Sequence, residues 1–395
     1  MTDSSGSVGG TTDSSGSAGW SATALEIHRR LRELRKGDAP AVLATVVGVQ
    51  GSAYRRPGAK VVLAPDKNEQ VGAITAGCLE GPVEDLAETV LDRGEPLLER
   101  FDLTDDDGWG VGLGCNGIVD VFVEPVDASL DPALAELDED EPVAIVTVVE
   151  SDDPGIPVGA RGVLTAGEVS DPPPERPSLP ESVVEKVRPL ASEHVESGDS
   201  ATEEIETEHG TVRMFLDGIE PPPKLLVFGG QPDTPPLVRL AADLGFRVTV
   251  ATPRSGLADP EKHPGAEAVT ATRPTDLTAL VDDRTSVVVM THNLADDELA
   301  IETLAGTGVP YVGLMGPRER FEEIRENLEA RGVDLPEAFL DRVATPVGLD
   351  VGGGAPVEIA LSIVAEVIAV GNDREGGRLR DREGPIHGER TELPD

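Results

Sequence analysis

The chain is 395 residues long and carries 74 acidic against 33 basic side chains, a formal net charge of −41. That length allows two or three domains with substantial cores, while the charge repels phosphate and excludes nucleic acid and anionic membrane surfaces as partners. The charge is spread along the whole chain, which reads as a halophilic surface suited to concentrated salt, where screening confines self-repulsion to a few ångströms. No stretch approaches the roughly 18 consecutive apolar residues of a membrane span. No basic-then-apolar leader is visible, and the two cysteines are too few for a secreted disulfide framework. A cytoplasmic protein is expected.

Residues 1–20 repeat TDSSGSVG as TDSSGSAG and predict a disordered tail. Ser21 reads as an N-cap for a helix with Ala24, Ile27, Leu31 and Leu34 on one stripe and Gly37 as its stop. Strand-like runs follow at 41–49, 61–64 and 71–75, then a helix from Pro82 to Arg93 ended by Gly94, then strands at 97–103 and 117–124. Residues 45–63 and 147–164 share a pattern: Thr-Val-Val, a spacer, then Gly-Ala-Lys/Arg and an apolar pair. Each copy is followed by a helix-prone stretch (82–93, 181–197) and closes on a strand, 118–124 or 211–217, which predicts an internal pseudo-repeat. The first copy would carry the chemistry and the second would serve as scaffold. A Pro-rich acidic stretch at 168–182 reads as a surface loop.

Pro221-Pro222-Pro223 marks a stiff boundary. Beyond it come strand 224–229, helix 234–244, strand 247–251, helix 274–282, strand 286–291, helix 295–305, strand 310–314 and helix 317–331. This alternation predicts a parallel doubly wound sheet. A helix over 356–370, apolar on most faces, should be buried, and the tail after Asn372 is charged. The fold class is therefore α/β: an N-terminal α+β domain with a pseudo-repeat, then a Rossmann-like domain. The predicted segments are a tail at 1–20, a first half at 21–126 with both cysteines, a second half-repeat and linker at 127–220, the Rossmann-like domain at 221–373 and a tail at 374–395.

Cys78 and Cys115 each sit in a glycine-flanked loop, Ala76-Gly77-Cys78-Leu79-Glu80 and Gly112-Leu113-Gly114-Cys115-Asn116-Gly117. Glycine frees the backbone and admits a ligand to the sulfur, so both thiols are candidate contacts for a metal or cofactor; a disulfide or two core thiols remain open alternatives. Arg55, Arg56 and Lys60 crowd into the turn Gly51–Lys60 and read as an anion-binding cluster, the alternative being local salt bridges. In the Rossmann-like half, ligands belong at the carboxyl ends of the strands beside helix N-termini. Three loops lie there: Phe228-Gly229-Gly230-Gln231-Pro232-Asp233-Thr234, Met290-Thr291-His292-Asn293 and Gly313-Leu314-Met315-Gly316-Pro317-Arg318. A dinucleotide fingerprint needs glycine at 231 and 234 and an acid at 252, where Gln231, Thr234 and Thr252 stand, so NAD(P) binding is expected to be weak.

These motifs together resemble the XdhC/CoxI family of molybdenum-hydroxylase accessory proteins. The matching pieces are Gly51-Ser52 through Lys60, Gly72-Ala73-Ile74 through Glu80, Leu113 through Gly117, Leu237 through Arg254, Met290 through Leu294, Tyr311 through Arg318, Gly348 through Ile368 and Gly384-Pro385-Ile386-His387. The resemblance implies a chaperone, not a turnover enzyme, that binds molybdenum cofactor (molybdopterin) and delivers it to a xanthine-dehydrogenase-type apoenzyme. A cysteine desulfurase as second partner and a homodimer are further expectations. The residues assigned to the cofactor are Cys78, Cys115, Gly77, Glu80, Arg55, Arg56, Lys60, Gly229, Gly230, His292, Asn293, Gly316 and Arg318, with the two thiols facing molybdenum or its sulfur. The chain departs from the family at Tyr54, Ala76, Asn116, Gln231, Pro232 and Thr252. A nucleotide-dependent oxidoreductase with a redox cysteine pair is the second reading, and a scaffold that docks a partner enzyme without touching cofactor is the third.

Overall fold

The computed structural model describes residues 19–383 apart from 38, 52, 66–68, 105–116, 166–167 and 171–175. Cys115 and the Gly384–His387 motif therefore lie outside the described residues. The chain divides into two compact units at Pro221/Pro222.

The first unit opens with helix α1 (Ala24–Lys36). Its N-cap is Thr23, not Ser21: the Thr23 hydroxyl accepts from Glu26 N and the Glu26 side chain reaches back to Thr23 N, a capping box that satisfies two otherwise orphaned donors. The buried stripe is Ile27, His28, Leu31 and Leu34, with Ala24 exposed. Gly19 and Trp20, placed in the tail by the sequence, are docked: Gly19 O accepts from Gly72 N at 2.7 Å and the Trp20 ring stacks on Tyr54.

Valine-rich strands then build two antiparallel sheets. The first is β1 (Val42–Gly51), β2 (Lys60–Ala64), β3 (Glu69–Gly72), β4 (Leu97–Asp102) and β5 (Gly117–Pro125), in spatial order β3-β2-β1-β5-β4. Helix α2 (Glu80–Arg93) covers one face. After the short helix α3 (Asp131–Asp138) the second sheet repeats the plan with β6 (Val143–Ser151), β7 (Arg161–Thr165), β8 (Glu168–Ser170), β9 (Ser200–Glu206) and β10 (Thr211–Ile219), in order β8-β7-β6-β10-β9, covered by α4 (Glu181–Ser197).

The repeat extends to register. Thr45 pairs with Lys60 and Phe122 in the first sheet; Thr147 pairs with Arg161 and Phe215 in the second. Both central pairs carry a bulge at the equivalent residue, Val47 or Val149. Gly58 (φ +92) and Gly159 (φ +85) close equivalent turns by donating to Val46 O and Val148 O. These left-handed conformations favour glycine.

Strand alternation sends Val119, Val121 and Val123 into the core under α2 and Asp120, Phe122 and Glu124 toward the other sheet. Repeat-equivalent Asp120 and Arg213 pair with each other at 2.7 Å. Phe122 and Phe215 meet Val47 and Val149 in one cluster. Lys60 pairs with Asp217 at 2.7 Å and its counterpart Arg161 with Glu124 at 2.6 Å, so each half lends the other a cation. Helices α1 and α3 share a further apolar cluster with the inward faces of both sheets. Burial works against the Asp120 charge, but hydrogen bonds from Arg100 and Arg213 overcome it and hold the carboxyl below its usual range. Its contribution to stability is thus present above the ordinary carboxylate pKa and lost as pH falls through the lower folded value.

The stretch at 168–182 is more than a surface loop. Arg176 is buried and pairs with Asp127 at 2.6 Å and Glu124 at 3.1 Å, while Ser178 bridges to Arg161. The strand expected at 71–75 ends at Gly72, leaving an irregular segment before α2.

The second unit is a six-stranded parallel sheet in order β13-β12-β11-β14-β15-β16. Its strands are β11 (Lys224–Gly229), β12 (Arg247–Thr252), β13 (Ala268–Ala271), β14 (Thr285–Met290), β15 (Tyr311–Leu314) and β16 (Val343–Ala344). Helices α5 (Thr234–Asp243) and α9 (Pro356–Gly371) pack on one face; α6 (Leu294–Leu304) and α7 (Arg318–Ala330) cover the other, and α8 (Glu337–Leu340) leads into β16. This is the doubly wound arrangement expected from the alternation. Two expectations are corrected. Residues Pro274–Leu280 form a 3-10 segment rather than an α-helix, and strand β13 has no counterpart among the strands expected from the sequence. Helix α9 buries Ala360, Ile363, Val364 and Val367 but exposes Val357, Leu361 and Val370.

Replacing Glu124 by Gln is expected to destabilise the protein by about 3–5 kcal/mol, because Arg161 would keep its charge in a nearly solvent-free position. Arg100→Gln, at a half-exposed residue whose partner Asp120 keeps Arg213, should cost less than about 1 kcal/mol. Denaturant unfolding at constant salt checks the contrast, and similar small losses for both would contradict the inter-sheet pairing as the source of cohesion.

Candidate functional site

Two candidate regions lie one in each unit. In the first, the turn after β1 brings Tyr54, Arg55 and Arg56 to the surface. Arg55 and Arg56 have no carboxylate partner among the described residues, although the chain has acid in excess. Lys60 is different: its part-buried ammonium is bonded to Asp217 and Gly58 O, so it ties the two sheets together. Its direction follows from strand alternation, since Lys60 is the first residue of β2 and faces the second sheet.

The segment between β3 and α2 presents Cys78. Its shape is fixed by Thr75, whose hydroxyl accepts from Cys78 N at 3.2 Å and Leu79 N at 3.1 Å and donates to Glu80 Oε2 at 2.7 Å. Glu80 also accepts from Thr75 N and Leu79 N. Glu80 is therefore engaged in closing the loop. Gly77 adopts φ +103, and a Cβ there would meet nothing within 4 Å, so the loop is open on that side. Half-buried Cys78 packs on the same core cluster as Ala53, the residue preceding the Tyr54–Arg56 turn. The thiol and the two arginines are thereby carried by segments that share one core.

In the second unit, β11 and β14 are neighbours, with Gly229 opposite Met290. The chain leaves β11 toward α5 on one face and β14 toward α6 on the other, so this is the topological switch point of the sheet, the usual ligand position of such folds. Gly229 lies against Met290 O and Gly230 against Thr252 and Leu257, so both glycines serve close packing at the strand ends. His292 is a non-glycine residue at φ +57, and its Nε2 lies 2.7 Å from Asp233 Oδ2. Asn293 is the N-cap of α6: its side-chain oxygen accepts from Asp296 N at 3.0 Å. Buried Asp297 accepts from the Thr291 hydroxyl and from Arg320 Nε at 2.9 Å, and Asp296 pairs with Arg254. Gly316, at φ +134, makes room for the Arg320 stem. Arg318 is exposed and has no ion-pair partner among the described residues.

Sequence reasoning misses Asp233, Asp297, Arg320 and Trp20. Asp233 stands where an ordinary N-cap would stand, and only the two prolines that follow it hint at a different role. Arg320 is two residues beyond the arginine singled out, and nothing local marks which of the two turns inward.

These features define a two-unit protein that couples a duplicated antiparallel half to a doubly wound parallel one. The sequence matches the model of the XdhC and CoxI family over residues 34–102 and that of the XdhC Rossmann domain over residues 225–367. It is 30% identical over 349 residues to a probable xanthine dehydrogenase subunit of Bacillus subtilis (strain 168), covering 86% of this chain and 96% of that protein. It is 27% identical over 175 residues to the uncharacterized protein YqeB of Escherichia coli (strain K12), covering 43% of this chain and 31% of that one. The crystal structure of a xanthine dehydrogenase from Bacillus halodurans superposes with a TM-score of 0.71 at 28% identity, covering 89% of this chain and 96% of that one. The chain belongs to the XdhC and CoxI family. Among the described residues no helix is long and apolar enough to cross a membrane.

Thr75→Ala should lose about 1 kcal/mol of stability, the usual cost of a capping hydroxyl, and should speed alkylation of Cys78 as the loop loosens. Thr75→Ser should restore both. Thermal unfolding and timed iodoacetamide labelling followed by mass spectrometry check this; unchanged labelling would show that Thr75 does not shape the loop.

Proposed function

We propose that this protein is a maturation factor that binds molybdenum cofactor and delivers it to an apoenzyme of the xanthine-dehydrogenase type. The observation that carries the reading is the pairing of two unpartnered surface arginines, Arg55 and Arg56, with the open Gly77-Cys78 loop on one core in a strongly acidic chain. Membership of the XdhC and CoxI family and the xanthine dehydrogenase names of its relatives support it.

The residues fit the group. Guanidinium pairs suit a phosphate, and a cysteine sulfur beside a side-chain-free residue suits a soft metal or its exchangeable sulfur. When bound, the cofactor supplies the molybdenum centre on which the recipient enzyme depends. Arg55 and Arg56 would hold its phosphate, and Gly77, without a side chain, would leave room beside Cys78. Cys115 is proposed as a second thiol contact. The partners are a molybdenum hydroxylase apoenzyme and a cysteine desulfurase, with a homodimer as the assembly.

An oxidoreductase reading is disfavoured by the first turn of α5. Thr234 N is bonded to Gln231 O at 3.0 Å, and Pro235 and Pro236 have no N–H, so residues 234–236 offer no free donor to a dinucleotide pyrophosphate.

Chain purified from a cofactor-producing host should carry pterin, and the Arg55→Ala/Arg56→Ala double variant should lose about tenfold or more of it, as expected for charge-assisted contacts. Cys78→Ala should retain part of the pterin but transfer less active cofactor to a recipient apoenzyme. Both variants should unfold at the wild-type temperature, since neither arginine pairs and the thiol is only half buried. Full pterin content in both variants would overturn the site.

A further inference from the structure

Aromatic side chains are few in this chain: two Trp, two Tyr and seven Phe. All seven Phe and Tyr311 are buried. Among the described residues the exposed aromatics are Trp20, at 39%, and Tyr54, at 60%. They are stacked on each other, with ring centroids 6.3 Å apart and planes 30° from parallel. Tyr54 is followed directly by Arg55 and Arg56, the exposed arginines without a carboxylate partner among the described residues.

The backbone sets this pair in place. Gly19 O accepts from Gly72 N at 2.7 Å at the end of β3, and a Cβ on Gly19 would collide with Gln70 O. Only a residue without a side chain lies this close to a strand edge, and Trp20, the next residue, is thereby held against Tyr54. Gly72 is also where the segment leading to Cys78 begins. The pair thus adjoins the arginine turn through Tyr54 and the root of the thiol segment through Trp20. Tyr54 is one of the positions at which the chain departs from its family, and Trp20 precedes the matched residues 34–102.

The two kinds of side chain select one kind of ligand. An exposed aromatic face favours another flat ring, because stacking removes apolar area from water and matches the ring charge distributions. Guanidinium forks grip a phosphate. Residues 54, 55 and 56 are consecutive, with Cα atoms about 3.8 Å apart per step, so a ring and a phosphate carried by one molecule reach both.

We propose that Trp20 and Tyr54 form a stacking subsite for a planar heteroaromatic ring whose attached phosphate is taken by Arg55 and Arg56. The proposal rests on the cofactor reading for its choice of a pterin ring; a nucleobase carries the same chemistry. The aromatics select the ring, while the arginines supply charge.

The test is calorimetric titration of the full chain with neopterin monophosphate, guanosine monophosphate and ribose 5-phosphate, which has the phosphate without a ring. In a Trp109→Phe chain, where Trp20 is the single tryptophan, its emission reports stacking. Neopterin monophosphate should bind about tenfold or more tighter than ribose 5-phosphate and quench Trp20 saturably. Tyr54→Ala should weaken neopterin monophosphate about tenfold and leave ribose 5-phosphate unchanged, whereas Tyr54→Phe should retain both affinities. Arg55→Ala/Arg56→Ala should weaken the two ligands alike. Equal binding of the two by wild type, absence of saturable quenching, or a Tyr54→Ala effect on both ligands or on neither would overturn the proposal. Lower melting temperatures in Trp20→Ala and Tyr54→Ala with unchanged affinity would make the pair a structural latch instead. Unchanged affinity with lost transfer to a recipient apoenzyme would assign the pair to a partner protein, against the proposal. Guanosine monophosphate binding tighter than neopterin monophosphate would keep the stack and remove the pterin from it. Pterin content after purification separates the proposal from the reading beneath it. Pterin loading that Tyr54→Ala leaves intact sinks the stack alone; a pterin-free protein that binds ring phosphates through Tyr54 sinks the cofactor reading alone.

Discussion

The first unit depends on a reciprocal exchange of charge between its two halves. Lys60 of the first sheet is neutralised by Asp217 of the second, and Arg161 of the second by Glu124 of the first. Neither half can bury its own cation without the other's carboxylate, so the halves are obliged to fold as one unit. Once the sheets are held face to face, the bulges at Val47 and Val149, the Phe122–Phe215 cluster and the wedge of α1 and α3 follow from the same strand alternation. A buried ion pair adds little net stability over an apolar substitute. Its value here is specificity, because a one-residue slip would turn Glu124 or Asp217 away from its partner.

This arrangement leaves the outer turns of the first half free for chemistry. Lys60 is held inside, whereas Arg55 and Arg56 on the same turn face outward without partners among the described residues. One turn therefore holds a structural cation, Lys60 as the first residue of β2, and two exposed arginines that precede the strand. The second unit shows the same economy of position: Arg320 turns in to Asp297 while Arg318, one half-turn earlier, stays exposed.

Much of the fold is legible in the sequence because it rests on local pattern. The Thr-Val-Val and Gly-Ala-Lys/Arg repeats mark equivalent strands, and the alternation after Pro223 marks the parallel sheet. What is not legible depends on partners distant in the chain. The burial of Arg176 requires Glu124 and Asp127, some fifty positions away, and the inward turn of Lys60 requires Asp217. Helix α9 reads as buried because its composition is apolar on most faces, but a sheet covers one stripe only and Leu361 and Val357 stay exposed. In the site, Glu80 and Asn293 are assigned to the cofactor by the family resemblance. Both bond the local backbone, a common use of such side chains at helix starts that depends on the folded loop.

Carriage of molybdenum cofactor by the intact protein is a proposal. Its most direct test is anaerobic purification of the full chain from a host that makes the cofactor, followed by metal analysis and native mass measurement. Molybdenum and pterin are expected together on the protein, in near-stoichiometric ratio to each other. Protein that carries neither, from a host whose other molybdenum enzymes are fully loaded, would contradict it.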